Sequence, residues 1–306
     1  MKNSQNAGWR TALPFLLPSM AGFAVFSILP MIMLLFISLT DWDGLSQLTL
    51  FSNFSGFMRQ FYVGLDNFRD ILTSTELYQV LGNTLKFVAL YIPLMLLASM
   101  AVALVLSSKM KGVGFFRVVY YIPVLTSWVA GSLIWKWVLS PEYGAINAML
   151  KAVGISGPTW LQSSAWAMPA IVLASVWKDM GYFGLMLMSG LQGINHTYYE
   201  AAEIDGASRV KQFFRITLPL LTPTLFFVLI ISLISSFQLF PQVMIMTPDG
   251  GPGGSTMVMV ERIYKYGFKY YKMGYAAAYS WILFAILLVL TSVQMKLQKK
   301  WVHYDD

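Results

Sequence analysis

FVALYIPLMLLASMAVALVLSS, residues 87–108, contains no Lys, Arg, Asp or Glu. Wound as an α-helix at 1.5 Å per residue, such a run rises roughly 33 Å, enough to cross about 30 Å of hydrocarbon. Working outward, charge-free runs recur at 11–40, 118–135, 216–248 and 273–295. A further apolar run, 165–191, is interrupted by a single adjacent pair, Lys178 and Asp179. These runs predict an all-α polytopic protein with six crossings at about 12–38, 87–107, 117–136, 165–191, 216–246 and 273–295, in one transmembrane domain spanning 1–306. Composition agrees. The 306 residues are 57% hydrophobic and 11% charged, less than half the roughly 25% charge share of a soluble domain, which excludes a water-soluble enzyme.

The first apolar run follows Lys2 and Arg10, but it is about twice as long as a signal-peptide core and lacks an A-x-A site, so it is expected to remain as a helix. With the N-terminus placed in the cytoplasm, segments 1–11, 107–117, 192–217 and 296–306 hold 11 of the 21 Lys and Arg residues. Basic residues favour cytoplasmic loops, most cleanly here in Lys109, Lys111 and Arg117, a stretch without acids, so both termini are expected inside. Trp9 and Trp301 then fall near the inner interface, and Trp42, Trp135, Trp137 and Trp166 near the outer one, where indole rings favour the headgroup layer. The net charge of +7 is thereby topological, and no nucleic-acid partner is expected, since a polyanion site needs basic residues clustered on a polar surface. With no cysteine and two isolated histidines, His196 and His303, no metal site is expected. Prolines such as Pro30, Pro93, Pro123, Pro169, Pro223 and Pro241 lie in or beside the runs. They suit either kinked helices around a polar path or ordinary membrane composition.

Residues 198–219, between the fourth and fifth runs, carry too much pattern for a simple connector. Glu, Ala and Ile favour helix over 198–205, Gly206 can end it in a left-handed conformation, and Ser208 can cap a second helix bearing Val210, Phe213 and Phe214. Ala201, Ala202, Ile204, Phe213 and Phe214 form an apolar side rimmed by Glu200, Arg209, Lys211 and Arg215. This suits docking into a groove on a partner; an interfacial helix on membrane lipid is the alternative, although two alanines bury little area there.

Glu200-Ala201-Ala202, Gly206 four residues later, and then Ile216, Leu218 and Pro219 resemble the EAA signature of ABC importer permeases. Gly190-Leu191-Gln192, Gly250–Thr256, Val63–Phe68 and Tyr121-Ile122-Pro123 extend the resemblance to carbohydrate-uptake permeases of the maltose-transporter type, over about residues 12–297. The resemblance implies the type I ABC importer permease fold in its six-helix form, in a bacterial inner membrane. It also implies a second homologous permease subunit, two separate ATP-binding subunits docked on the EAA loops, and an external solute-binding protein. The function implied is uptake of a sugar or oligosaccharide by alternating access, with Glu200, Ala201, Ala202, Gly206, Ile216, Leu218 and Pro219 coupling it to ATP hydrolysis. ATP and Mg are expected on the partner subunits alone: no G-x-x-x-x-G-K-[ST] phosphate loop occurs in this chain, and no cofactor or catalytic residue is expected in it.

Two other classes are open to test. Asp41 and Asp43 follow the first run, where a membrane glycosyltransferase could place metal-binding acids. An ion-coupled secondary transporter would use paired intramembrane acids or inverted repeats, whereas one intramembrane acid and no convincing repeat are present. A sugar path needs polar or aromatic groups near mid-span to replace water at hydroxyls. The fourth run supplies Ser175, Lys178, Asp179 and Tyr182, the fifth Ser232, Ser235, Ser236, Gln238 and Gln242. Alignment through the EAA motif puts Ser175, Tyr182 and Ser236 at or near the sugar-contacting positions of the maltose-type permease. The substrate set is therefore Ser175, Asp179, Tyr182, Ser232, Ser235, Ser236 and Gln238, with Asp179 assigned to the cavity and Lys178 to holding the helix against a neighbour.

Overall fold

Pro123 shows how the apolar runs become broken helices. It lies in the last turn of α6 (Val113–Leu125), which ends two residues later, where Thr126 turns extended. Ser127 then caps a new helix, α7 (Trp128–Val138), by accepting from the Ala130 amide, and the two axes differ by 100°. The crossing expected at 117–136 is thus a bent pair.

This computed structural model describes residues 2–108 and 111–302, with side chains from Ala12 onward. Lys109 and His303, and the side chains of Lys2, Trp9 and Arg10, lie outside the described residues. Four helical segments are long and apolar enough to cross a bilayer: Ala12–Ser38, Thr75–Ser107, Ala167–Gly193 and Met273–Trp301. Counting each of two bent pairs, Val113–Leu125 with Trp128–Val138 and Arg209–Leu220 with Thr222–Phe237, as one crossing gives six.

The chain folds as two compact units. One comprises residues up to Ser74 with Ile263–Ile282. Its helices are α1 (Lys2–Phe23), α2 (Leu29–Ser38), α3 (Phe54–Phe61) and α4 (Asp66–Thr73). Between α1 and α2 the turn widens to π-helix over Ala24–Ile28, which absorbs the N–H missing at Pro30. Asn67, from the Val63–Phe68 motif, donates to the carbonyls of Ser38 (3.0 Å) and Thr40 (2.8 Å), closing the end of α2. Phe15 and Phe26 are exposed on this first segment, as a lipid-facing surface requires.

The other unit comprises Thr75–Arg262 and the chain from Leu283 onward. Here α5 (Thr75–Ser107) begins twelve residues before the expected crossing, because polar residues such as Glu76 and Gln79 continue the same helix beyond the hydrocarbon. After α8 (Ala145–Ala152) comes α9 (Ala167–Gly193), half of whose apolar window is buried, against 6% for Ala12–Ser38. The span that carries charge is thus the one most enclosed by protein, as the expense of charge in hydrocarbon requires. Gly181 and Gly184 let α9 be approached closely: a Cβ at Gly181 would strike the Tyr120 carbonyl, and one at Gly184 would lie 2.8 Å from Val102 Cγ1.

Residues 197–246 form α10 (Thr197–Ile204), α11 (Arg209–Gln212), α12 (Leu218–Leu220), α13 (Thr222–Phe237) and α14 (Pro241–Met246). The expected crossing 216–246 is interrupted at Gln238–Phe240, since the residue before Pro241 is steered away from helical geometry and Phe240 adopts φ −146°. Next, α15 (Met259–Tyr264) carries Glu261 and Arg262, and α16 (Met273–Trp301) is shared between the units.

Candidate substrate cavity and coupling loop

Five stretches of the larger unit meet around a cavity of about 240 Å³. α5 contributes Phe87 and Tyr91, α7 Trp128, α9 Ser175 and Asp179, and α13 Ser235 and Ser236; the break and the start of α14 add Gln238, Leu239, Pro241 and Gln242. The helix breaks matter here, because the 100° turn brings Trp128 to the cavity and the Phe240 kink presents Gln238 and Gln242 together.

Tyr91 Oη donates to Asp179 Oδ2 at 2.7 Å, and the Tyr91 ring stacks on Phe87 with centroids 5.0 Å apart. Ser236 Oγ donates to the Ser232 carbonyl. Ser175 Oγ and Gln242 Oε1 are buried yet form no hydrogen bond with the described residues. Buried polar atoms without partners are costly, so these two are available to a hydroxylated ligand.

Of the residues expected on the sugar path, Ser175, Asp179, Ser235, Ser236 and Gln238 line this cavity. Tyr182 and Ser232 do not. Each lies about one turn farther along its helix than the nearest lining residue: Tyr182 is 38% exposed beside Phe183, and fully buried Ser232 donates to the Leu229 carbonyl. Spacing of three to four residues aligns side chains on a face but does not say where along that face a cavity ends. Phe87, Tyr91 and Trp128 were missed by the sequence reading; the signal available was a tyrosine hydroxyl in a run otherwise fit for lipid.

Lys178 turns away from the cavity. Its ammonium donates to the carbonyls of Pro123 (2.9 Å), Val124 (3.2 Å) and Thr126, and lies 5.3 Å from the Trp128 ring centroid. It therefore satisfies carbonyls freed where α6 ends, which water cannot reach in hydrocarbon. Lys178→Met should lower stability by at least about 4 kcal/mol, because it forfeits the bonds to the Pro123, Val124 and Thr126 carbonyls, and hydrogen bonds to charged donors are each worth about 1.5–3 kcal/mol. Thermal unfolding of the purified chain in detergent measures this, and an unchanged midpoint would refute the capping role.

In the 198–219 loop, Gly206 has φ +69° and ends α10, with its amide donating to the Glu203 carbonyl at 3.0 Å. Ser208 caps α11 through the Lys211 amide. Glu200, Ala201 and Gly206 are exposed, whereas Ala202, Ile216, Leu218 and Pro219 are half-buried. Ile204, Val210 and Phe214 stand exposed at 88%, 67% and 60%. The Tyr199 and Thr217 hydroxyls, 2.9 Å apart, tie α10 to the foot of the fifth crossing.

Asp43 is engaged as a turn cap: its carboxylate accepts from the Ser46 and Leu45 amides and the Ser46 hydroxyl. The Ser46 amide, then that of Leu45, holds the carboxyl below its ordinary range. Among the described residues, no group of three His, Cys, Asp or Glu side chains is placed to hold a metal ion.

The 247–256 loop is held by two amide side chains of α5. Gln79 Nε2 donates to the carbonyls of Gly253 (3.2 Å) and Gly254 (3.3 Å), and Asn83 Nδ2 to those of Gly254 (2.8 Å) and Met257 (3.0 Å). Buried Arg262 pairs with Glu261 at 2.8 Å and with Glu76 at 3.5 Å. The glycine-rich 247–256 loop is thereby fastened to the start of α5.

A polytopic helical chain with a polar mid-span cavity and a protruding helix-turn-helix loop is the architecture of a transport permease. Residues 77–303 match the model of the binding-protein-dependent transport system inner membrane component, and the chain belongs to that family. It is 35% identical over 296 residues to the probable ABC transporter permease protein YesP of Bacillus subtilis, covering 95% of this chain and 91% of that protein. It is 34% identical over 238 residues to the trehalose/maltose transport system permease protein MalF of Thermococcus litoralis, covering 77% and 79% respectively. A bacterial ABC transporter involved in import of the acidic polysaccharide alginate has a chain of the same fold, at TM-score 0.75 and 22% identity, covering 98% of this chain and 99% of that one.

Proposed function

We propose that this chain is one of two permease subunits of a sugar or oligosaccharide importer, working by alternating access in a cytoplasmic membrane with both termini inside. Two ATP-binding subunits dock on the exposed residues of 198–219 and hydrolyse ATP with Mg, and a solute-binding protein delivers substrate to the 247–256 loop. The observation that carries this reading is the cavity itself, where Ser175 Oγ and Gln242 Oε1 have no hydrogen-bond partner among the described residues, beside the Asp179 carboxylate and the Tyr91 and Trp128 rings. Sugars are bound by such sets: hydroxyls exchange water for fixed donors and acceptors, and their apolar faces lie on aromatic rings. The relatives' names support the class and leave the substrate's charge open, since they include trehalose/maltose and sulfoquinovosyl glycerol permeases.

The test is reconstitution of the complex in proteoliposomes with candidate binding protein and sugar pairs. ATPase stimulation and uptake that depend on one loaded binding protein would establish the reading. Metal-dependent glycosyl transfer, or uptake driven by an ion gradient without ATP, would replace it. Deleting Gly250–Gly254 removes carbonyls that Gln79 and Asn83 hold, and should abolish stimulation by loaded binding protein, with the unstimulated rate as internal control. Undiminished stimulation would leave the loop as a solvated turn.

A further inference from the structure

We propose that Asp179 makes this chain's side of the path a filter against anionic sugars, favouring neutral and amino sugars over uronates and sugar phosphates. The inference rests on the importer reading and narrows its substrate class.

Three observations carry it. First, among the residues lining the cavity Asp179 is the charged one, and the rest offer hydroxyls, amides, aromatic rings and aliphatic groups. Second, the adjacent cation is committed elsewhere: the Lys178 ammonium bonds to carbonyls of Pro123, Val124 and Thr126 and packs near Trp128. Third, Asp179 is held in place but not saturated. Tyr91 donates to Oδ2, which leaves Oδ1 to accept from a ligand hydroxyl or ammonium. A carboxylate or phosphate entering here would meet a like charge on a half-buried carboxylate, where charge repulsion is screened less than at a fully exposed surface. A hydroxyl meets an acceptor, and an ammonium meets an opposite charge. Ser175 Oγ and Gln242 Oε1, both buried without partners among the described residues, supply further polar contacts. The competing account is that Asp179 only locks α9 to α5 through Tyr91.

The complete complex in nanodiscs is titrated by saturation-transfer NMR with three probes of matched size: maltose, the β-1,4 disaccharide of glucosamine, and digalacturonate. Expected is binding of the first two, with digalacturonate at least tenfold weaker. Asp179→Asn should narrow that gap to within threefold and weaken the glucosamine disaccharide about tenfold, with the complex still assembled on size exclusion. Tyr91→Phe removes the bond between the helices but keeps the carboxylate, so it should still exclude digalacturonate. This second variant decides the matter if Asp179→Asn does not assemble. Digalacturonate binding as tightly as maltose to the wild type, an unchanged order in Asp179→Asn, or loss of exclusion in Tyr91→Phe would overturn the filter. Should none of the probes bind while loaded binding protein still stimulates the ATPase, the filter falls and the importer reading stands. Absence of that stimulation with every candidate binding protein would bring down the importer reading instead.

Discussion

Gly206→Val should uncouple ATP hydrolysis from transport while leaving the chain inserted in the membrane. The residue sits at φ +69°, a region that costs an ordinary side chain about 1–2 kcal/mol and a β-branched one more. A Cβ there would meet nothing within 4 Å, so the cost is conformational and not steric. The chain can relieve it by unwinding the end of α10, which would break the Gly206–Glu203 and Ala207–Ala202 hydrogen bonds and misplace exposed Ile204. Co-purification with the ATP-binding subunits should fall at least tenfold. Gly206→Asn, which tolerates the left-handed region, should retain most of it. Full association and transport in Gly206→Val would refute the proposed docking of the ATP-binding subunits on this loop.

Gly181→Ala should be the most damaging small substitution in the larger unit. The added methyl would strike the Tyr120 carbonyl of α6, a backbone atom that cannot rotate aside, whereas at Gly184 it would meet the Val102 side chain. Overpacking costs typically 1–3 kcal/mol, and an immovable neighbour places this case at about 3 kcal/mol. The same shift would drag α6 from the carbonyl contacts of Lys178. Thermal unfolding followed by size exclusion should show a markedly lower midpoint and a polydisperse peak. Gly22→Ala, where a Cβ meets nothing within 4 Å, is the control. Equal midpoints for the two variants would show that the close approach of α9 and α6 is not limiting.

The helices were legible from the sequence because exclusion of charge from hydrocarbon writes directly into composition, and Gly206 and Ser208 announced the coupling-loop bend through their own backbone preferences. The breaks were less legible. Pro123 and Pro241 were visible, but a proline in a membrane helix can kink it or end it, and the outcome at Pro123 coincides with the Lys178 ammonium, more than fifty residues away in sequence. The cavity was legible by half for the same reason. Ser175, Asp179, Ser235, Ser236 and Gln238 share local patterns, whereas the Tyr91–Asp179 bond joins residues 88 positions apart. Tyr182 and Ser232 were indistinguishable from their neighbours by periodicity and fell outside the cavity lining.

The fastening of the 247–256 loop to α5 has a thermodynamic corollary. Asn83 and Tyr91 lie on one uninterrupted stretch of helix, eight residues or about 12 Å apart, and Pro93 comes only after both. The carbonyls of Gly254 and Met257 bear on one end of that stretch, and the Asp179 carboxylate on the other. Any ligand that distinguishes two positions of α5 through Tyr91 must, by linkage, alter the affinity of whatever holds the loop, and by the same factor in the reverse direction. If a docking protein holds this loop, as proposed, cargo and docking protein are reciprocal effectors, and a measured change in one affinity fixes the other without a second experiment.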